Sequence, residues 1–544
     1  MKTTLRLLAL LTLLFPKQTF SQSYEWVVNG GGNSGDYGNA IAVDPAGHSY
    51  VTGWFQNTAT FGGISITSAG QYDIFIAKYD PAGQIIWLKK AGGSGTDIGY
   101  GIDLDANGNI YIAGTFQGVA AFGGITVTSS AGSPDIFVAR YDPAGNPLWV
   151  QQAGSATDDQ AQAIAVDKAS SKIYISGYFK TTANFGSIPV TSSGNSDVFI
   201  AKYDTIAAMN STPLWIQTGG GTSYDNCYSV CTDASGNAYI TGDIAGTATF
   251  GTQTVTSAGD DDVFIAKYNT QGTIQFAHRY GGTGLDRGLK IASRNNIIGY
   301  TGWFNGNATF GSTTLISAGL DEIFVAAIDT SGNSLWANKA GGAGYDQGYG
   351  ICTDVPGNIY VTGSFDSVAQ FNTVTVTSAG AWDVFIAKYS SAGVFQWVMS
   401  GGSPATNTFD RDIGYGIQPD AMQNLYVTGI IRNTAAFGPY SVTSFGIQDV
   451  FVAKISQATA VEEIFSPADI SVFPNPSHGI FTIHSANVKA NYVQVFNSFG
   501  QHVFSYSFRN KKNLDVDLRP LAKGMYYIRL IAENKIYYEK ILIQ

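Results

Sequence analysis

The sequence predicts an all-β protein, a seven-bladed β-propeller followed by a small Ig-like β-sandwich. Three recurring words predict it. An acid followed by Ile/Val-Phe-Ile/Val-Ala stands at Asp73, Asp135, Asp197, Asp262, Glu322, Asp383 and Asp449, with successive copies 60 to 66 residues apart. Tyr-(Ile/Val)-(Thr/Ser/Ala)-Gly starts at Tyr50, Tyr111, Tyr174, Tyr239, Tyr360 and Tyr426, and Tyr300 opens a fifth copy that lacks the β-branched residue. An aromatic before a Gly-rich loop recurs at Trp26, Trp87, Trp149, Trp215, Phe276, Trp336 and Trp397. A fixed period of this length marks stacked copies of one supersecondary unit. Several strands per copy, with no helical pattern, point to a propeller.

The second copy gives the element order. Gly101 to Asp105 reads as a first strand, and Asp105-Ala106-Asn107-Gly108 as a tight turn whose Gly supplies the positive φ. Ile110 to Phe116 is the second strand. A long connection through Phe122-Gly123 and a Ser-rich stretch follows. Asp135 to Tyr141 is the third strand, Asp142-Pro143-Ala144-Gly145 a second turn, and Pro147 to Gln152 the fourth strand. Four antiparallel strands make one blade. In Asp73 to Tyr79 both faces are apolar, as expected for a strand covered on both sides.

The phase of the copies predicts closure. The region opens with a fourth strand around Trp26 and ends with a third strand, Asp449 to Ile455. Pairing Tyr24 to Val28 with that last strand removes two sheet edges that invite aggregation. The Asp-x-x-Gly turns then share one face. The longer connections, which vary between copies, share the other face, where function tends to sit.

Charged residues make up 13% of the 544 residues, about half the usual share. The net charge is −10, and the repeat region holds 18 basic against 33 acidic side chains. Such a body repels phosphate backbones, so no nucleic-acid partner is expected. Residues 1–21 read as a secretory signal, with Lys2 and Arg6 before the apolar run Leu7 to Phe15, and Thr19 and Ser21 placed for cleavage. That run is too short to span a bilayer, and no other transmembrane segment is expected. Cys227, Cys231 and Cys352 read as small buried residues.

Chemistry-bearing residues fall into two groups. The regular acids Asp36, Asp97, Asp159, Asp225, Asp286, Asp346 and Asp412 precede each first strand. They read as structural acceptors for their own loops. The acids Asp260, Asp261 and Asp262 are weak calcium candidates that lack calcium-loop spacing; otherwise no metal or cofactor is expected. Variable positions on the long-loop face are the ligand candidates: Trp54, Tyr178, Asp243 and Trp303 after the second-strand Gly, and Tyr72 and Trp382 before the third-strand acid. Aromatics beside acids suit sugar rings or a protein partner, although packing between blades is the simpler account of them. No catalytic residue is assigned, because the five histidines are scattered and no metal-binding or nucleophile-elbow spacing occurs. The favoured function is binding of a glycan or protein ligand. The alternatives are a polysaccharide hydrolase or lyase, for which chance pairs of Asp would serve, and a structural matrix protein.

A polar linker, 457–468, precedes a β-sandwich over 469–544. Pro474-Asn475-Pro476, Gly479, Phe499-Gly500-Gln501, Gly524 with Tyr526, and Lys540 in the last strand occur in an order that closely resembles the C-terminal sorting domain of the type IX secretion system of Bacteroidota. The resemblance implies passage across the outer membrane by that machinery, then release or surface attachment. The seven copies are similar to the bacterial β-propeller repeats called SBBP, which implies a fold and no defined activity.

Overall fold

The computed structural model describes residues 22–205, 212–404, 410–457, 470–485, 490–497, 502–511, 513–532 and 535–544. The expected leader over 1–21, residues 458–468 of the expected linker and Gly500 lie outside the described residues, while Gln457, the first residue of that linker, ends the strand Asp449–Gln457. The chain divides into two compact units, Gln22–Gln457 and a second that holds residues 470–544. Described residues are strands and turns, with one three-residue 3-10 turn at Ser130–Gly132.

The larger unit is built from seven four-stranded antiparallel ladders. In the first, Asp36–Val43 pairs Ser49–Phe55, which pairs Asp73–Tyr79, which pairs Ile85–Gly93. The seven first strands are Asp36–Val43, Ile98–Leu104, Gln160–Asp167, Asp225–Thr232, Asp286–Arg294, Gln347–Thr353 and Ile413–Pro419. Each touches the next, and the last touches the first, so they stand in a ring about one axis. Each is interrupted by a bulge two or three residues past its start, such as the one between Gly38 and Ala40. A bulge there sharpens the local twist.

Ring closure joins the two ends of the repeat region. Gln22–Gly32 pairs antiparallel with Asp449–Gln457, with Tyr24 opposite Ile455 and Val28 opposite Val452. Tyr24 and Val27 are buried in one core with Phe451, Ala453 and Phe437.

The connection between second and third strands departs from the expected loop. It folds into a hairpin that pairs with the fourth strand of the preceding ladder. Val119–Phe122 and Ile125–Thr128 form one such hairpin, and its Phe122 stands opposite Ala91. Three sheets are therefore six-stranded where four strands were expected, and two others run on to eight and ten strands, because ladders carry a piece of their successors. The physical reason lies in two small-and-large positions per hairpin. Ala59, Ala120, Ala183, Ala248, Ala308, Ala369 and Ala435 are fully buried. The adjoining Phe61, Phe122, Phe185, Phe250, Phe310, Phe371 and Phe437 pack on third-strand Phe75, Phe137, Phe199, Phe264, Phe324, Phe385 and Phe451, with ring centroids 4.6 to 5.0 Å apart. At Gly30 the facing fourth strand is bare, and a methyl group there would lie 2.2 Å from Phe61.

Further bonds fasten successive ladders. Trp26, Trp215 and Trp336 donate from Nε1 to the carbonyls of Pro81, Thr270 and Ser391 at 3.0 to 3.1 Å, each in the next ladder's tight turn. The Tyr words supply the core: Tyr50, Tyr111, Tyr174, Tyr239, Tyr300, Tyr360 and Tyr426 are all buried. Cys227 and Cys352 are buried and Cys231 half-buried, and none is in a disulfide.

In the smaller unit, Ile470–Phe473, Ile480–Ser485 and Asn513–Asp517 form one sheet, and His502–Lys511, Ala490–Asn497, Gly524–Ala532 and Lys535–Ile543 form another. Phe481, Val493, Val516, Ile528 and Ile541 share its core. No helix among the described residues is long and apolar enough to cross a membrane.

Candidate functional site: the long-loop face

The seven regular acids are buried and serve the backbone. Asp97 accepts from the Gly93 N–H at 2.7 Å on Oδ2 and from the Gln117 N–H at 3.0 Å on Oδ1. The same two bonds recur at Asp36, Asp159, Asp225, Asp286, Asp346 and Asp412. Each aspartate thus ties its own Gly-rich loop to the end of its second strand. Burial pushes all seven carboxyls up, Asp36, Asp159 and Asp225 to about 6 and Asp97, Asp286, Asp346 and Asp412 to about 7.

The third-strand acid of the preceding ladder faces each of them. A methyl group at Gly92 would lie 2.8 Å from Asp97 Oδ2 and 2.9 Å from Asp73 Cγ. Asp73, Asp135, Asp197, Asp262, Asp383 and Asp449 each bury one Oδ1 without a hydrogen-bond partner. Paired carboxylates in a dry site raise one another's proton affinity.

Above these pairs lie the variable positions. The residue after each regular acid stands beside the second-strand candidate: Tyr37 opposite Trp54, Asn226 opposite Asp243, Arg287 opposite Trp303. The same residue reaches back to the position before the preceding third-strand acid. Tyr37 donates to Gln448. Arg287 donates to Asp261 at 3.3 Å and Gln347 to Asp321 at 2.6 Å. Several variable positions therefore form side-chain bonds between ladders, a pairing invisible in a single copy.

The six ligand candidates are accordingly more covered than their loop-face position implies. Trp303 and Trp382 are each 8% exposed and Asp243 1%. Trp54 stacks on Tyr37 at 4.3 Å and meets the tilted Tyr72 ring at 4.4 Å. Tyr178 is half-buried. Burial raises Asp243 to about 6 against the pull of Arg287, which lies 3.8 Å away and also covers Trp303.

One cluster reaches solvent. The Arg411 guanidinium lies 4.0 Å from the Trp382 ring centroid, and Tyr345 stands 5.8 Å from the same ring at a 32° tilt. Arg411 is exposed and Tyr345 is 41% exposed. Neither has a carboxylate partner among the described residues. The sequence reading placed Trp382 here but missed Tyr345 and Arg411, which sit just before the regular acids Asp346 and Asp412. Exposed Tyr224 and Leu285 occupy the same position in other copies.

The weak calcium candidates do not converge. Asp262 pairs with Arg279 at 2.9 Å, Asp261 with Arg287, and Asp260 is exposed. Among the described residues no group of three metal-ligating side chains forms.

In the smaller unit, Asn475 explains the first sorting word. Its Nδ2 donates to the Lys540 carbonyl at 2.6 Å and its Oδ1 accepts from the Leu542 N–H at 3.0 Å. The turn between Pro474 and Pro476 is so bound to the last strand. Gly479 takes φ +96° and Gly524 φ +154°, while the Tyr526 hydroxyl donates to Ala522 O at 2.7 Å. Gly479 is confined as well: a methyl group there would lie 2.9 Å from Arg519 Cα.

Two family models match parts of this architecture. The family model described as a secretion system C-terminal sorting domain matches residues 471–544, and the β-propeller repeat model SBBP matches residues 86–115. An uncharacterized WD repeat-containing protein of Acanthamoeba polyphaga mimivirus is 24% identical over 450 residues, 65% of this chain and 32% of that protein. An ulvan lyase of Nonlabens ulvanivorans is 35% identical over 78 residues, 14% of each. The chain thus spans about a third or less of the length of these relatives. A structural genomics protein of unknown function from Bacteroides thetaiotaomicron aligns over 78% of this chain and all of its own at 12% identity, with a TM-score of 0.27.

Proposed function

We propose that this chain, which joins SBBP β-propeller repeats to a secretion-system sorting domain, is an exported binding protein that holds a glycan or protein ligand on its long-loop face. The sorting domain implies the type IX machinery as its route to the cell surface or the extracellular space. The leader over residues 1–21 would supply the first membrane crossing.

The single observation that supports ligand binding is the Tyr345–Trp382–Arg411 cluster. An exposed aromatic face suits the C–H face of a sugar ring or an apolar side chain. A stacked guanidinium with free N–H donors suits a carboxylate or sulfate beside that ring. Neither Tyr345 nor Arg411 belongs to a buried core, so each can be changed without disturbing the fold.

A glycan array carrying neutral and acidic polysaccharides, with a parallel pull-down from the native surroundings, tests the reading. Wild-type protein should capture a ligand in one of the two formats, and Tyr345→Ala and Arg411→Ala should each lower capture at least tenfold with unchanged melting. Equal capture by both variants would remove this cluster as the site.

A further inference from the structure

Arg411 stands between two acids in the sequence, Asp410 and Asp412, yet neither neutralises it. Asp410 is buried and held by Arg432 at 2.9 Å and by the Asn433 amide at 3.1 Å. Asp412 is buried and accepts from the Ser403 N–H and hydroxyl, both at 2.7 Å, and from the Arg432 N–H at 2.6 Å. Asp366, opposite Trp382 in its ladder, accepts the Ser367 hydroxyl at 2.8 Å and forms no ion pair among the described residues. The charge of Arg411 is therefore left to the solvent side.

The same guanidinium is held in place. It lies 4.0 Å from the Trp382 ring centroid, over a parallel bridge between the two backbones in which the Asp412 N–H donates to Trp382 O at 2.9 Å. Tyr37, Tyr349 and Tyr415 pack against the core of Trp382, Ile413 and Ile430 below it. Arg287 gives the contrast on the same face. It covers Trp303 at 5.6 Å, but Asp261 at 3.3 Å and Asp243 at 3.8 Å take up its charge. The repeat region holds 18 basic against 33 acidic side chains, so neutralising partners are plentiful. An exposed guanidinium that is fixed by stacking and kept free of them suits an anion from outside. The apolar part of the cluster is one ring wide, because Tyr345 is 41% exposed and Trp382 only 8%. One phenol falls far short of the roughly 800 Å² per partner of a standard protein interface, and it suits the face of one sugar ring. Tyr345 and Arg411 adjoin the same indole, so one sugar unit that carries its own charge can meet both.

We infer that the ligand is an acidic polysaccharide, with a sugar ring against Tyr345 and its anionic substituent, a carboxylate or a sulfate ester, on the Arg411 guanidinium. This rests on the function proposed above, that the Tyr345–Trp382–Arg411 cluster holds the ligand, and it narrows a glycan or protein to one class.

Affinity electrophoresis of the mature protein tests it, in gels that contain polygalacturonate, its methyl ester, dextran sulfate or dextran. Within each pair the charge is removed and the backbone kept. The expected result is retardation by at least one charged polymer and by neither uncharged one. Arg411→Gln and Tyr345→Ala should each weaken that retardation at least tenfold with unchanged melting. Lys168→Met, an exposed cation on the tight-turn face, should leave it unchanged. Retardation by polygalacturonate alone assigns a carboxylate, and by dextran sulfate alone a sulfate ester. Equal retardation by charged and uncharged polymers, or retardation lost in Tyr345→Ala but kept in Arg411→Gln, overturns the acidic ligand and leaves the cluster as a glycan site. Equal weakening by Lys168→Met and Arg411→Gln marks bulk charge attraction and overturns it as well. Retardation by none of the four polymers also overturns it. In that case a protein captured from the native surroundings and lost in Tyr345→Ala keeps the cluster as a ligand site, and capture untouched by either variant removes both.

Discussion

Asp36 and Asp449, near opposite ends of the repeat region, face each other across Gly31. A methyl group on that glycine would lie 2.8 Å from Asp36 Oδ2 and 2.6 Å from Asp449 Oδ1. Asp36 Oδ2 accepts the Gly32 N–H and Asp449 Oδ2 the Phe445 N–H, while Asp449 Oδ1 has no partner. The junction that closes the ring thus buries two carboxyls against one another.

The pair makes stability depend on pH with a definite sign. Burial raises Asp36 to about 6 and Asp449 to about 7 in the folded chain, and the Asp36 carboxylate raises Asp449 further. Unfolded aspartate titrates near about 3.9. The folded state therefore holds protons that the unfolded chain releases, and this stabilisation is complete below about pH 4 and lost as pH rises through 6 to 7. With seven such junctions, the melting temperature should be higher at pH 5.5 than at pH 8. In Asp449→Asn, the amide supplies a donor toward Asp36 where an orphan acceptor stood. Its melting temperature at pH 8 should equal or exceed the wild-type value, with a shallower pH slope. A lower melting temperature with an unchanged slope would show that the two groups do not interact.

The hairpin lock is large enough to measure at one copy. Phe122 is buried against Phe137 at 4.9 Å and belongs to the piece lent to the preceding ladder. Phe122→Ala should cost about 3–5 kcal/mol, the range for an aromatic removed from a packed core. Urea unfolding monitored by Trp fluorescence gives the value. A loss under about 1 kcal/mol would mean that the hairpin merely rests on the surface.

Asn475→Ala should weaken the smaller unit and leave the larger one intact. It removes a donor and an acceptor that meet the backbone of the last strand at 2.6 and 3.0 Å. Each such bond contributes about 1 kcal/mol. Cells carrying the variant should retain more of the protein inside the outer membrane, measured by immunoblot of culture medium against cell extract. Wild-type export would show that this turn is dispensable for sorting.

The repeat words were readable because each performs one fixed packing task. Tyr50 and its counterparts fill the core, and the acids before each first strand need two backbone donors in every copy. The phase of the copies also located the pairing of Gln22–Gly32 with Asp449–Gln457. The hairpins were not read, although Ala-x-Phe recurs in all seven copies. Their Thr and Ser side chains face solvent and look like loop. Candidate residues suffered differently. Trp303 and Trp382 read as exposed candidates, yet Arg287 from the paired strand and Arg411 from the loop before the last first strand cover them, contacts set by strand register rather than by sequence neighbours.

The closed ring itself is tested most directly by deleting residues 22–32 from the mature protein and recording its thermal melt. Loss of this strand would expose the edge of Asp449–Gln457 and the partners of Tyr24 and Val27. The account predicts a melting temperature many degrees lower, with aggregation on heating. A melt superimposable on that of the intact protein would contradict closure by this strand and the ring built on it.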